Sequence, residues 1–154
     1  REISFVARRT LFDNPAFGFV IRACNSIPLD RGQADVGAIR SALAALAAGR
    51  GLLIFPEGTR SADGVIAEAK AGAGLLACRS GAPVVPIHIR GARDVLPRGA
   101  LFPAGTARIR VRFGKAMLPA EYDPGAEHRD RSIEASRRIL ERIKSLPDCA
   151  EPGL

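Results

Sequence analysis

The stretch Phe55-Pro56-Glu57-Gly58-Thr59-Arg60-Ser61 directly follows the apolar run Leu52-Leu53-Ile54. A buried strand that ends in a polar, charged loop puts ligating groups at the rim of a sheet. Gly58 lets the backbone turn tightly and approach a ligand, Thr59 and Ser61 offer hydroxyl and amide donors, and Arg60 offers a planar fork suited to phosphate. That set suits a phosphate monoester. The same residues also suit a plain strand-to-loop turn in which Glu57 and Arg60 pair with each other. Upstream, Ile27-Pro28-Leu29-Asp30-Arg31-Gly32 is a second short apolar run that delivers polar groups to a turn, and its Arg31 is a second candidate phosphate ligand.

Periodicity supplies the elements that must position these groups. Ile3, Phe5 and Ala7 alternate with their neighbours as in a strand, and Pro15 to Arg22 reads as a short helix leading to a strand at Ser26 to Leu29. Asp35 can cap a helix whose apolar positions Val36, Ile39, Leu43 and Leu46 precede a stop at Gly49. A strand follows over 51–55, then a turn at Ala62-Asp63-Gly64. Glu68 to Ser80 reads as a small-residue helix with Leu75 and Leu76 inward and Gly81 as its terminator. Pro83 to Ile89 reads as a third buried strand, interrupted by Pro86, which cannot donate to a ladder.

Strand, helix, strand, helix, strand with short connections implies an α/β fold with a mostly parallel central sheet flanked by helices. Ligands in such sheets gather at the carboxyl ends of strands. Arg31 and the Glu57 to Ser61 loop share that edge if their strands are parallel, so two guanidiniums and several loop donors would converge on one dianionic phosphate.

In order and spacing these blocks resemble the glycerolipid acyltransferase family, which includes the 1-acyl-sn-glycerol-3-phosphate acyltransferases, from about residue 3 to residue 115. F-P-E-G-T-R-S carries most of the resemblance. It implies a glycerol-3-phosphate acyltransferase-like fold and transfer of a fatty acyl group from acyl-CoA or acyl carrier protein to the sn-2 hydroxyl of lysophosphatidic acid, giving phosphatidic acid. No further cofactor and no metal is implied. Another lyso-lipid or glycerol-3-phosphate as acceptor, or a non-catalytic relative that binds anionic lipid, is the alternative. By the same resemblance Arg31, Gly58, Thr59, Arg60 and Ser61 hold the acceptor's phosphate, and Glu57 supports them by orienting an arginine or a loop amide, or by holding the catalytic His. Where the family often shows Phe-Lys-x-Gly, this chain has Ala69-Lys70-Ala71-Gly72; Lys70 joins the anion site or is a solvated lysine in the first turn of a helix.

The family's catalytic N-H-x-x-x-x-D block is missing. His88 has Arg93 at the fifth following position, with Asp94 one residue too late, and His128 has Ile133 there. No catalytic residue is therefore assigned within the chain. The expectation is a single acyltransferase domain over residues 1–154, truncated at its N-terminus and inactive alone.

Composition fits one core, with 47% apolar residues in 154. No run of apolar residues is long enough to span a bilayer, and no leader is present within these residues. Cys24, Cys78 and Cys149 form neither C-x-x-C nor an even disulfide set, which suggests free thiols in a reducing compartment. The net charge of +7 favours anionic partners. With no Trp, one Tyr and no binding motif, nucleic acid is not among those expected. An anionic membrane surface, a lysophospholipid, an acyl thioester and acyl carrier protein are, and the expected location is the cytoplasmic face of the inner membrane, peripheral or anchored by a missing N-terminal segment.

Two further stretches carry charge in a pattern. Arg108, Arg110 and Arg112 alternate with Ile109, Val111 and Phe113, which puts three cations on one strand face, either solvated or against lipid headgroups. Residues 130–146 form a C-terminal amphipathic helix with Ile133, Leu140 and Ile143 on its apolar side and Ile139 and Leu146 flanking. It docks on the sheet with its arginines to water, or lies on a membrane.

Overall fold

The computed structural model describes residues 1–30, 35–58, 66–96 and 108–147. Strand β1 (Ile3–Arg8) runs into a 3-10 turn over Arg9–Phe12, and helix α1 (Pro15–Ala23) leads to β2 (Ser26–Leu29). Asn14 caps α1 by accepting from the Phe17 amide, with Pro15 at the first helical position, where a missing N–H costs nothing. Helix α2 (Val36–Ala47) and β3 (Gly51–Leu53) follow.

These three strands form one parallel sheet in the order β2-β1-β3, with Val6 opposite Ile27 and Ser4 opposite Leu52. Pro28 sits in β2, an edge strand of this sheet, where a missing ladder donor is tolerated. Helix α2 packs across all three strands. Its buried residues are Ala38, Ala42 and Ala45, whereas Val36 is 63% exposed and Ile39, Leu43 and Leu46 are only half-buried. The large apolar residues thus flank the contact line, and small ones occupy it, which allows the helix to lie close to the sheet. On β1, Ser4 is buried, while Ile3 and Phe5 on the alternate face remain exposed.

Helix α3 (Ala71–Ser80) starts after Lys70 rather than at Glu68, because Lys70 adopts an extended backbone at the N-cap. It ends at Gly81, whose φ of +62° is the left-handed C-terminal conformation that favours glycine. Strand β4 (Ile87–Arg90) does not join the parallel sheet. It pairs antiparallel with β5 (Arg110–Phe113), and Val84 bridges to Met117. Short helices α4 (Ala92–Val95) and α5 (Pro119–Tyr122) precede the long α6 (Arg131–Lys144).

The second core lies between α3 and α6, with Ala77, Met117, Tyr122, Ala135 and Ile139 buried together and Cys78, Val84 and Ile143 against them. α6 therefore docks chiefly on α3, not on the sheet or a membrane, and its apolar stripe differs from the expected one. Ala135, Ser136, Ile139 and Leu140 are buried, so Ile139 is central and Ile133 is left exposed. The contact is close because Gly74 has no side chain: a Cβ there would lie 2.0 Å from the Ser132 carbonyl oxygen. Buried Ser136 closes the joint, accepting from the Gly74 amide at 2.7 Å and donating to the Lys70 carbonyl at 2.7 Å. The Tyr122 hydroxyl donates to the Ala82 carbonyl at 2.8 Å. Asp123 ties α5 to α6 by a two-pronged ion pair with Arg131, the Nε arm at 2.7 Å.

Candidate functional site

Parallel pairing of β2 and β3 on either side of β1 sends all three carboxyl ends to one sheet edge. Arg8 and Arg9 leave β1 there, Asp30 leaves β2, and the Phe55-Pro56-Glu57-Gly58 loop follows β3. The condition placed on Arg31 and the Glu57 to Ser61 loop, that their strands be parallel, is met. Arg31, Thr59, Arg60 and Ser61 themselves lie outside the described residues, as does the turn expected at Ala62-Asp63-Gly64.

Among the described members, Glu57, Gly58 and Lys70 are brought together. Gly58 has φ +63°, which a side chain rarely adopts, and its amide donates to the Phe55 carbonyl at 3.0 Å, closing a tight turn. The aliphatic stem of Lys70 lies over this turn: a Cβ on Gly58 would be 3.2 Å from Lys70 Cδ. The Lys70 backbone is fixed at both ends, its amide donating to the Pro56 carbonyl at 2.8 Å and its carbonyl accepting from Ser136. Lys70 is thus a residue of the N-cap, ahead of the first helical turn, and its exposed side chain crosses the loop that holds F-P-E-G. Glu57 Oε2 accepts from the Ala67 amide at 2.7 Å. Its carboxylate braces the far arm of the loop, one of the roles open to it from sequence.

A polar network at the end of β2 was not anticipated. Arg9 Nε donates to Asp30 at 2.6 Å, the Asp30 amide donates to Asp35 Oδ2 at 3.0 Å, and Arg9 Nη2 lies 3.7 Å from the same oxygen. Asp35 also caps α2 by accepting from the Ala38 amide at 2.9 Å. Those two backbone donors, Asp30 first and Ala38 second, hold the Asp35 carboxyl below its ordinary pKa, with Arg9 adding to the effect. One carboxylate therefore ties the end of β2 to the first turn of α2. The signal in the sequence was the pairing of Asp30 and Asp35 across five residues, which reads as a cap alone unless the partner strand is known.

His88 is half-buried on β4, opposite Arg112, and His128 is exposed in the turn before α6. Neither lies in the F-P-E-G loop. Cys24 and Cys78 are free thiols; burial raises the Cys78 pKa, which disfavours its thiolate. No group of three or more potential metal ligands occurs among the described residues. None of the described helices is long and apolar enough to cross a membrane.

The chain is 29% identical over 142 residues to a chloroplastic 1-acyl-sn-glycerol-3-phosphate acyltransferase of Brassica napus, covering 91% of this chain and 41% of the relative. It is 33% identical over 150 residues to the 1-acyl-sn-glycerol-3-phosphate acyltransferase of Streptococcus pneumoniae, covering 96% of this chain and 52% of that protein. The chain thus spans about half or less of these curated relatives. The crystal structure of the 1-acyl-sn-glycerophosphate acyltransferase PlsC from Thermotoga maritima superposes with a TM-score of 0.69 at 26% identity, over 93% of this chain and 54% of that one. An acyltransferase family model matches residues 1–90, more than half of the chain, and this chain belongs to the acyltransferase family.

Proposed function

We propose that this chain is the acceptor-binding part of a 1-acylglycerol-3-phosphate acyltransferase, an enzyme that moves an acyl group from acyl-CoA or acyl carrier protein to lysophosphatidic acid. The observation that carries the reading is the shared carboxyl edge of β2 and β3, with Gly58 in a left-handed turn beneath Lys70. In the reaction the acceptor hydroxyl oxygen attacks the thioester carbonyl, the carbon–sulfur bond breaks, and the hydroxyl proton leaves with the thiol.

In this proposal Arg31, Arg60 and Lys70 supply charge to the acceptor's phosphate, Thr59 and Ser61 donate hydrogen bonds, Gly58 shapes the loop, and Glu57 braces it. The anionic membrane surface is the expected source of acceptor, on the cytoplasmic face. Neither His of this sequence starts an H-x-x-x-x-D block. General-base assistance contributes about 10²- to 10⁴-fold, so the 154-residue chain should bind acceptor while transferring acyl groups slower by about that factor than a chain that carries the block.

Titration calorimetry with lysophosphatidic acid against monoacylglycerol, its phosphate-free counterpart, tests the assignment. Tight binding of the phosphate ester alone is expected, and Arg60→Ala should weaken it by about ten- to a hundredfold, the loss of one charge-assisted contact. Equal binding of both ligands would overturn the phosphate reading, and rapid turnover by the chain alone would overturn its lack of a catalytic group.

A further inference from the structure

A serine inside a helix ordinarily donates back to the carbonyl four residues before it. Ser136, fully buried in α6, crosses to α3 instead. Its hydroxyl accepts from the Gly74 amide at 2.7 Å and donates to the Lys70 carbonyl at 2.7 Å. Those two groups are the pair that closes the first turn of a helix whose N-cap is Lys70. In α1 and α2 the corresponding groups bond to each other, Gly18 to Asn14 at 2.7 Å and Ile39 to Asp35 at 3.0 Å. In α3 a side chain from another helix stands between them.

The consequence falls on Lys70. Its carbonyl is directed by a residue 66 positions downstream, and its amide by the Pro56 carbonyl at 2.8 Å. With a hydrogen bond on each side of its Cα, the direction in which Lys70 projects its side chain is set. That side chain lies over the Gly58 turn, with Cδ 3.2 Å from where a Gly58 Cβ would be. It is exposed and makes no ion pair among the described residues, so its ammonium is open to an anion while its stem is held. A lysine has much rotamer freedom to lose on binding, and one that is placed before the ligand arrives loses less.

We propose that Ser136 is a positioning residue of the acceptor site: its hydroxyl, set between the Gly74 amide and the Lys70 carbonyl, fixes the backbone from which Lys70 reaches over the Gly58 turn to the acceptor's phosphate. This rests on the phosphate reading of the loop proposed above and adds to it a residue of the C-terminal helix. Without the hydroxyl the Gly74 amide and the Lys70 carbonyl bond directly, as their counterparts do in α1 and α2, and Lys70 leaves its place over the loop.

Titration of lysophosphatidic acid into the chain, its two single variants and the double variant forms a double-mutant cycle. Lys70→Gln should weaken binding about tenfold, the loss of one charge-assisted contact. Ser136→Ala should weaken it about fivefold, a coupling usual within one hydrogen-bond network. In the Lys70→Gln chain the same Ser136→Ala change should alter binding by less than about twofold, because the side chain it positions no longer carries charge. Monoacylglycerol should bind the chain and Ser136→Ala alike. Ser136→Cys, similar in shape but a weak donor and acceptor, repeats the cycle if Ser136→Ala does not fold.

Losses that add in full would mean that Ser136 acts by a route other than Lys70. A lower melting temperature with unchanged lysophosphatidic acid binding would mean that Ser136 only joins the helices. Either result, or unchanged binding in Lys70→Gln, overturns the proposal and leaves the phosphate reading to Arg60→Ala. Equal binding of lysophosphatidic acid and monoacylglycerol by the unaltered chain would overturn the phosphate reading and this proposal with it.

Discussion

Gly58 is the described residue whose type most constrains the loop proposed to hold phosphate. Its φ of +63° costs any side-chain-bearing residue about 1 to 2 kcal/mol, while the added Cβ would meet only the flexible Cδ of Lys70, which can move aside. Gly58→Ala should therefore lower stability in urea by about that amount and loosen lysophosphatidic acid binding. Gly72→Ala is the contrast. That glycine is in α3 with nothing within 4 Å of a built Cβ, so the change should be neutral or stabilise by up to about 1 kcal/mol. Equal losses for both variants in the same urea titration would show that conformation at Gly58 is not what the loop requires. The residues best suited to bind phosphate are chemically plain in the sequence; the brace from Glu57 to the Ala67 amide is not, since an acceptor ten positions away has no local signature.

Among elements, α3 and α6 depend on two buried contacts. Gly74→Ala puts a methyl 2.0 Å from the Ser132 carbonyl oxygen and 2.6 Å from the Ser136 nitrogen, both backbone atoms of α6. The helices must separate, which should cost about 3 kcal/mol or more and is read directly in a denaturant midpoint. Tyr122→Phe keeps the ring in the core but strands the Ala82 carbonyl; a loss of about 1 to 2 kcal/mol is expected in the same assay. Expectations for the elements held where periodicity and caps agreed, as at Asp35 and Gly81. They failed at α6, because Ile133 and Ile139 are both apolar at helical spacing and only the position of α3 decides which one is buried.

Over the whole molecule, stability depends on carboxylates fixed by specific partners. Hydrogen bonds from Arg137 and then Arg138 lower Glu134 from the ordinary 4.5 to about 2, and bonds from Arg131 and the Gly125 amide hold Asp123 well below the usual carboxylate range. Asp35 is lowered in the same sense. The unfolded chain then binds protons before the folded one as pH falls. Each contribution is complete above the unfolded pKa, begins to erode near pH 5, and for Glu134 is gone once pH falls through about 2. The melting temperature should be level near neutrality and drop steadily from about pH 5 to about pH 3; Glu134→Gln should shallow that drop, and an unchanged profile would count against the Arg137 and Arg138 contacts. The net charge of +7 sharpens the acid effect, since protonating carboxylates adds to an existing excess of positive charge.

The sequence by itself determined the family, the alternation of strands and helices, and the loop proposed to hold phosphate, because each is written in short-range patterns: F-P-E-G-T-R-S after an apolar run, Asp35 before a helix, Gly81 after one. Tertiary structure alone decided which strands are neighbours. β1 lies between β2 and β3, so one edge receives both candidate loops, while β4 pairs with β5 in a separate antiparallel ladder. It also decided which side of an alternating strand faces water. Arg108, Arg110 and Arg112 alternate with Ile109, Val111 and Phe113, and period two fixes that the sets lie on opposite faces without saying which face is covered. That choice is made by the packing of distant segments, and here it left the apolar set outside.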